Sequence, residues 1–451
     1  MASAAEQLAA NMNFGTFAKA TELHKRLWFT LGALIVYRLG TFVPIPGVDM
    51  QAFGAAFAAA QGGILGMFNM FSGGAVSRLA VFALNVMPYI SASIIIQLLS
   101  SFPGRYERLK KEGEAGRIQM NQDTRYLTVA LAIVQAFGIA AGLQGSPGIV
   151  INPGPMFLIT TVITLVSGTM LLVWLGEQIT ARGVGQGISL IIFAGIVAEL
   201  PTALYQTLAL GREGTLSAFA ILGLGLVVVA AIVLIVFVER SQRRIVVQYP
   251  KRQVGQRMFG GDTSFLPLKI NTAGVIPPIF ASSLLLLPAT AAGFLAGQRP
   301  EWMAESVFEG FQGLVGALSH GQPLFMLLYA ALIVFFAFFY TSIVFNPDET
   351  ADNLRKNGGF LPGIRPGTKT AEYFDQVLTR LTVLGGAYLV VVCLFPEIMI
   401  AYFGIPFYLG GTSLLIVVSV TIDTVAQIQS HLLAHQYEGL IKKSKLKGRS
   451  R

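Results

Sequence analysis

The segment LSAFAILGLGLVVVAAIVLIVFV, residues 216–238, contains no charged residue and lies between Arg212 and Arg240. A helix rises about 1.5 Å per residue, so about 20 apolar residues cross the roughly 30 Å hydrocarbon core of a bilayer. A helix that is apolar on every side over this length is typical of a membrane span, not of a helix on a soluble surface. The bilayer therefore decides the fold.

The same pattern recurs along the chain, and it predicts an all-α polytopic membrane protein with ten transmembrane helices. Hydrophobic residues make up 54% of the sequence, charged residues only 12%, and the mean hydropathy is +0.65, which excludes an ordinary soluble domain. The first span follows Lys25 and Arg26 without a cleavage site, so we expect a retained anchor. The other nine predicted spans are 27–43, 76–100, 127–143, 156–175, 187–208, 273–294, 324–345, 381–395 and 412–433.

The distribution of positive charge predicts the orientation of the chain. If the N-terminus is inside, 28 of the 32 Lys and Arg residues fall in cytoplasmic segments, as the positive-inside rule requires. The net charge of +9 then indicates anionic lipid headgroups and cytoplasmic partners more than nucleic acid. The cytoplasmic segments are predicted to be the N-terminal residues 1–26, two long loops at 239–272 and 346–380, a basic tail at 434–451, and the two shorter loops after the second and fourth spans.

Ten spans divide into two sets of five, here 27–208 and 216–433. An odd number of spans makes the second set start from the opposite face, which permits an inverted repeat with a site between the halves. A secondary transporter of small solutes would fit this count, so that function stays open at this point.

The glycine-rich segment GGILGMFNMFSGG, residues 62–74, is apolar but too short to span. Bent backbone inside hydrocarbon leaves amides unpaired, so a segment entering the membrane must be enclosed by protein or line a cavity. An interfacial loop with an apolar face is the alternative.

The spans contain few groups that could carry ion-coupled transport or catalysis. Asp423, Glu199 and Arg38 are the main charged residues within them, which argues against buried carboxylates coupled to an ion. The segment GIRPGTKT, residues 363–370, resembles a phosphate-binding loop but has Thr368 where a glycine is required. We therefore expect neither an enzyme nor a nucleotide, metal or other cofactor site.

Eight sequence blocks together resemble the SecY family, whose members form the centre of the Sec protein-conducting channel. They occur in the family's order and extend over essentially the whole chain. The blocks are GMFNMFSGGAVSR, MPYISASIIIQLL, KKEGEAGR, LGEQITARGVGQGISLIIFAGIVA, VERSQRRIVVQY, GVIPPIFASS, FNPDETADNLRKNGGFLPGIRPG and FYLGGTSLLIVV.

The resemblance implies two inverted five-helix halves around an hourglass pore, a short plug helix at residues 62–75, and a gate that opens sideways to lipid. The implied function is a passive, gated channel that moves unfolded secretory polypeptides across the membrane and releases hydrophobic segments into lipid. The implied pore ring comprises Val86, Ile90, Ile188, Ile192, Ile279 and Ile416. The implied plug residues are Ile64, Leu65, Met67, Phe68, Met70 and Phe71. The implied lateral gate comprises Ser91, Ile94, Gln97, Ser283 and Leu287, beside Ile90.

The resemblance also implies partners. These are the membrane subunits SecE and SecG, the motor ATPase SecA, the ribosome with its RNA, polypeptides that carry signal sequences, and membrane lipids, with the chain in a bacterial inner membrane. Basic loops also control the orientation of a membrane protein, but the loops at 239–272 and 346–380 are longer than that role requires. The residues implied to bind the motor or ribosome are Arg243, Arg244, Lys251, Arg252, Arg257, Arg355, Lys356, Arg365, Pro366 and Gly367.

Overall fold

A computed structural model of the chain describes residues 20–60, 69–145, 148–214, 217–249, 252–254, 257–259, 263–294, 310, 313, 322–403 and 411–448. Helices dominate the described part. They are α1 Thr21–Gly40, α2 Met50–Ala60, α3 Met87–Ser101, α4 Arg105–Lys111, α5 Glu114–Gly145, α6 Pro155–Arg182, α7 Gly187–Arg212, α8 Ala218–Arg240, α9 Ile276–Phe294, α10 Pro323–Val344, α11 Pro347–Lys356, α12 Thr368–Phe403 and α13 Gly411–Gly448.

Four short strands lie between α8 and α9. They are β1 Gln242–Gln248, β2 Arg252–Val254, β3 Arg257–Phe259 and β4 Thr263–Lys269. β1 pairs antiparallel with β4, from Gln242 opposite Lys269 to Gln248 opposite Thr263. β2 pairs antiparallel with β3.

The chain forms two compact units. One comprises Met1–Ala92, Thr124–Thr202 and Ile416–Arg451, and the other comprises Ser93–Asp123 and Ala203–Leu415. Within the first unit α1 packs on α6, and within the second α10 packs on both α9 and α12. The halves 27–208 and 216–433 stay a prediction.

Seven described helices are long and apolar enough to cross a membrane, and two shorter apolar helices, Met87–Ser101 and Ile276–Leu285, accompany them. The clearest case is α8, which contains most of the uncharged segment at residues 216–238. Only 6% of its most apolar window is buried within the chain. Phe219, Leu226 and Phe237 are each more than two-thirds exposed. Such a surface is stable only against lipid or another apolar partner.

The predicted second span, 76–100, is only partly helical, which corrects the expectation from sequence. α3 begins at Met87, and the residues before it form turns. Ile45 N–H donates to the Leu79 carbonyl at 3.0 Å, and Val81 N–H donates to the Val43 carbonyl at 2.9 Å. These bonds occupy backbone groups that a helix would need, and Leu79 has a left-handed φ of 41°. The segment is apolar because it is buried, not because it is helical.

Proline can kink a helix, but three prolines of α3 and α9 lie in first helical turns. Pro88 is the second residue of α3, while Pro277 and Pro278 are the second and third of α9. The first four N–H groups of a helix have no intrahelical partner, so proline sacrifices no hydrogen bond there. Pro201 and Pro288, by contrast, are inside α7 and α9.

In the second unit, the two long basic loops form one packed body. Gln248 and Phe360 exchange both backbone hydrogen bonds at 2.9 Å, joining β1 to the segment after α11. A core of nine buried residues lies beneath this joint, with Phe374 fully buried. Its members are Ile245, Leu268, Ala351, Leu361, Ala371, Phe374, Val377, Leu378 and Leu381.

Phe374→Ala should loosen this body, because removing a fully buried phenyl ring costs about 3–5 kcal/mol. We expect faster limited proteolysis in the loops at 239–272 and 346–380 of the purified chain. Phe265→Ala is the control, since Phe265 in β4 is 56% exposed. Equal protease resistance of the two variants would contradict the assignment of Phe374 to this core.

Candidate functional site

Four of the six predicted ring residues are buried aliphatics. Val86, Ile90, Ile192 and Ile416 are 0%, 6%, 5% and 1% exposed. The other two, Ile188 and Ile279, are half-buried. Ile90 N–H donates to the Val86 carbonyl at 3.1 Å, so these two side chains occupy one face at the start of α3. Ile188 and Ile192 are likewise one turn apart at the start of α7.

Hydrogen bonds to the turn before α7 fix where this helix, which carries Ile188, begins. Val184 N–H donates to Thr30 Oγ1 at 3.0 Å, and Gly185 N–H donates to Gln427 Oε1 at 2.8 Å. α1 and α13 therefore both hold the loop that starts the ring helix. The hydroxyl of Thr180 accepts from Gly187 N–H at 2.9 Å and satisfies one of the free amides at the helix start.

Glycine is required where α6 and α7 approach most closely. A Cβ on Gly187 would lie 1.9 Å from the Gly176 carbonyl oxygen, far inside van der Waals contact. Both glycines occur in a sequence block that resembles the SecY family, and this contact gives a physical reason for them.

The predicted plug is described only at its C-terminal end. Ile64, Leu65, Met67 and Phe68 lie outside the described residues, whereas Met70 is half-buried and Phe71 is 3% exposed. After Phe71 the chain turns through Gly73 and Gly74, with φ of 64° and 80°. Left-handed backbone favours glycine, so these two residues permit the turn.

The predicted gate residues lie on α3 and α9. Ile94 and Ser283 are buried, and Ser91 and Gln97 are half-buried. Ser283 Oγ donates to the Ile279 carbonyl at 2.8 Å, so its hydroxyl is satisfied within α9. The backbone of Leu287 is part of α9, and its side chain lies outside the described residues. Their facing across a gate stays a prediction.

The tip of the second basic loop is a rigid turn with an exposed cation. Thr370 Oγ1 donates to the Arg365 carbonyl at 3.0 Å, and Gly367, at φ 107°, begins the approach to α12. Arg365 and Pro366 are exposed. Within the described ranges, no carboxylate forms an ion pair with Arg365.

The structure describes only some of the other predicted partner-binding residues. Arg243 and Arg244 on β1, and Arg355 and Lys356 at the end of α11, are exposed. Lys251 lies outside the described residues, and the side chains of Arg252 and Arg257 do too, although their backbones belong to β2 and β3.

The basic helix α4 differs from that tip, because carboxylates partly neutralise it. Lys111 Nζ donates to Glu107 Oε1 at 2.6 Å, and this bond holds the pKa of Glu107 below its ordinary value. Arg105 lies 3.4 Å from Asp123. A cluster of Lys and Arg in the sequence therefore does not by itself mark a free cationic surface.

A family comparison decides the assignment. The family model for SecY matches residues 80–425.

The chain belongs to the SecY family.

Two curated SecY relatives match almost end to end. Protein translocase subunit SecY of Rickettsia bellii (strain RML369-C) is 53% identical over 441 residues, covering 97% of this chain and 100% of the relative. The subunit of the same name from Escherichia coli (strain K12) is 53% identical over 435 residues, covering 95% and 96%. The chain is thus a multi-pass membrane protein with bacterial relatives.

Solved structures of the SecY family share the fold. The structure of a protein-conducting channel has a TM-score of 0.67 at 17% identity, covering 91% of this chain and 92% of that one. A SecY structure described by a plug domain that stabilises the closed state has a TM-score of 0.65 at 19% identity and the same coverage. The predicted fold class is confirmed.

The polar residues that hold the site together were not predicted from the sequence. Thr30 and Gln427 were not singled out, although uncharged polar groups in spans usually find specific partners. No role was predicted for Tyr37 or Asn85 either. Their partners are backbone groups distant in sequence, so spacing along the chain does not reveal them.

Ile416→Asn should destabilise the closed channel, because it places an amide in a position that is 1% exposed and surrounded by apolar groups. We expect more resting ion conductance in planar bilayers and export of precursors with weaker signals. Ile416→Leu is the control, since it keeps an apolar side chain of similar volume. Unaltered conductance and signal discrimination in Ile416→Asn would count against a place in the ring.

Proposed function

We propose that this chain is the channel-forming subunit of a bacterial protein translocase. It passes unfolded secretory polypeptides across the inner membrane and releases hydrophobic segments sideways into lipid. The observation that carries the proposal is the 53% identity to protein translocase subunits over nearly the whole chain. The shared channel fold supports it.

An aliphatic ring suits this cargo. Branched aliphatic side chains offer no hydrogen bonds, so polypeptides of any sequence pass without being held. An ion entering a narrow apolar constriction loses hydration, and such constrictions can also gate by dewetting. Val86, Ile90, Ile188, Ile192, Ile279 and Ile416 would form this ring, with residues 62–75 beneath it as the seal at rest.

Sideways opening follows from the two kinds of cargo. A signal helix must reach lipid while the polar chain behind it stays in water. α3 and α9 would separate to let it out, with Ser91, Ile94, Gln97, Ser283 and Leu287 along the opening. Cargo can shift this equilibrium only by binding the open form better, so more hydrophobic signals should open the gate more readily.

The basic body would bind the cytoplasmic partner. Its exposed arginines suit RNA phosphates or acidic protein surfaces, and the tip at Arg365, Pro366 and Gly367 presents an exposed arginine. Structures of similar fold include Sec61 in a canine ribosome–channel complex, with a TM-score of 0.64 at 18% identity. We infer that the ribosome and the motor SecA bind here and supply the energy, that SecE and SecG associate in the membrane, and that both termini are cytoplasmic.

The secondary-transporter alternative is not supported. The matched relatives are translocase subunits, and the predicted midplane is lined by aliphatic side chains. A transporter would need polar groups or broken helix ends that converge on a solute.

Reconstitution tests the proposed function directly. The chain is placed in proteoliposomes with SecE, SecG and SecA, together with ATP and a secretory precursor. We expect the precursor to become protected from external protease. A precursor without its signal sequence should stay accessible. Equal protection in liposomes lacking the chain would contradict the proposal.

Arg365→Glu should impair motor-driven translocation, because it reverses the charge of an exposed cation at the tip. We expect at least about a tenfold lower rate, in line with the energy of hydrogen bonds to charged groups. Membrane insertion of the variant should be normal. Arg380→Glu is a matched charge reversal at an exposed arginine on α12, away from the tip, and should have a smaller effect. A normal export rate for Arg365→Glu would refute the role of the tip.

A further inference from the structure

Three consecutive backbone carbonyls at the C-terminal end of the predicted plug each accept a hydrogen bond from a side chain. Asn85 Nδ2 donates to the Phe71 carbonyl at 2.6 Å, and Tyr37 Oη donates to the Ser72 carbonyl at 3.2 Å. Arg38 donates to the Gly73 carbonyl. The donors come from α1 and from the residue two before α3. The plug therefore ends in a backbone segment held from two directions.

The held segment is itself rigid. Asn69 joins its two ends, because its carbonyl accepts from Gly74 N–H at 2.9 Å and its Oδ1 accepts from Ser77 N–H at 2.8 Å. Ser72 Oγ also donates to the Asn69 carbonyl at 3.0 Å. We call residues 69–77 the plug root. The bonds from outside and these internal bonds hold the same backbone, so we expect loss of the former to weaken the latter.

α7 closes the third side of the plug root. A Cβ on Gly195 would lie 2.6 Å from the Phe71 carbonyl oxygen and 2.9 Å from the Tyr37 hydroxyl. The root thus rests directly on the helix that carries Ile192, one turn away. The plug root and the predicted ring are therefore neighbours on α7, so a displacement of the root would occur next to the ring.

Two of the three side-chain donors that hold the plug root are buried and would not easily find other hydrogen-bond partners. Tyr37 and Asn85 are each 1% exposed. Within the described part of the chain, Asn85 Oδ1 has no hydrogen-bond partner, so the bond to Phe71 is the one bond its side chain makes there. If the root moved away, these donors would be buried and unpaired, which opposes the movement.

We propose that Tyr37, Arg38 and Asn85 form a clasp on the plug root and that this clasp sets how hydrophobic a signal segment must be to open the channel. The proposal rests on the proposed function. A signal that binds the open form must outweigh the clasp, so each hydrogen bond raises the hydrophobicity threshold. Tyr37, Arg38 and Asn85 are positioning residues and do not contact cargo in this scheme.

The two uncharged donors can be removed with little other change. Asn85 has φ 50°, a conformation that glycine adopts freely, so Asn85→Gly removes the amide and keeps the backbone. Tyr37→Phe removes one hydroxyl oxygen and keeps the ring, which stacks on Phe82. Tyr329→Phe is the matched control, because Tyr329 is a buried tyrosine whose hydroxyl bonds to Thr412 in the other unit.

The test compares Tyr37→Phe, Asn85→Gly, the double variant and Tyr329→Phe in the full chain with its membrane partners. Amide hydrogen exchange of residues 69–77 is measured in lipid nanodiscs, and translocation of precursors with strong and weak signals is measured in proteoliposomes. A buried hydrogen bond corresponds to about a threefold to tenfold change in an equilibrium constant. We expect exchange of the Gly74 and Ser77 amides to accelerate by that factor in each single variant and by more in the double variant.

We also expect the clasp variants to pass the weak-signal precursor several-fold faster, with strong-signal transport unchanged. Unchanged exchange would overturn the clasp. Faster exchange with unchanged weak-signal transport would overturn its role in selectivity, and so would an equal loss of transport for both precursors. If the parent chain passed no precursor, the proposed function would fail, while the exchange data would still decide whether the clasp exists.

Discussion

The bilayer imposes one constraint on which the rest of this structure depends: backbone polar groups in hydrocarbon need partners within the protein. Helices meet it automatically, so most spans are regular. The residues before α3 meet it by other means. Their amides and carbonyls bond to the segment 41–49, to the side chain of Asn69 and to one another. An irregular segment of this kind can change shape without unwinding a helix, which a movable seal requires.

Small residues allow the close backbone packing on which these internal contacts depend. Gly176 and Gly187 let two helices approach until a carbonyl oxygen fills the space of a side chain, and Gly195 does the same for the plug root. Hydrophobic attraction between helices is weak in lipid, so close packing and specific polar contacts take its place. The bonds of Thr30 and Gln427 to the turn before α7 illustrate the polar part.

Much of the fold could be predicted from the sequence, because membrane spans are a matter of length and hydropathy. α8 shows this best, since only 6% of its most apolar window is buried within the chain. The same reasoning failed at 76–86, because hydropathy reports burial and says nothing of backbone shape. Four of the predicted ring residues are buried, and their place in a ring stays a prediction. The contacts of Tyr37 and Asn85 were not predicted. Tyr37 and Asn85 bond to carbonyls 35 and 14 residues away, and only the folded chain brings them together.

The helix α12 carries a mechanical implication. It runs for 36 residues, or about 54 Å, which exceeds the roughly 30 Å of hydrocarbon, and it begins at Thr368, directly after the exposed tip at Arg365. Its first turns belong to the core that joins the two basic loops. If the proposed partner docks at that tip, a force applied there would act on one continuous helix that packs against α10. Such a helix would transmit torque, and not only contact, from the aqueous side into the bilayer.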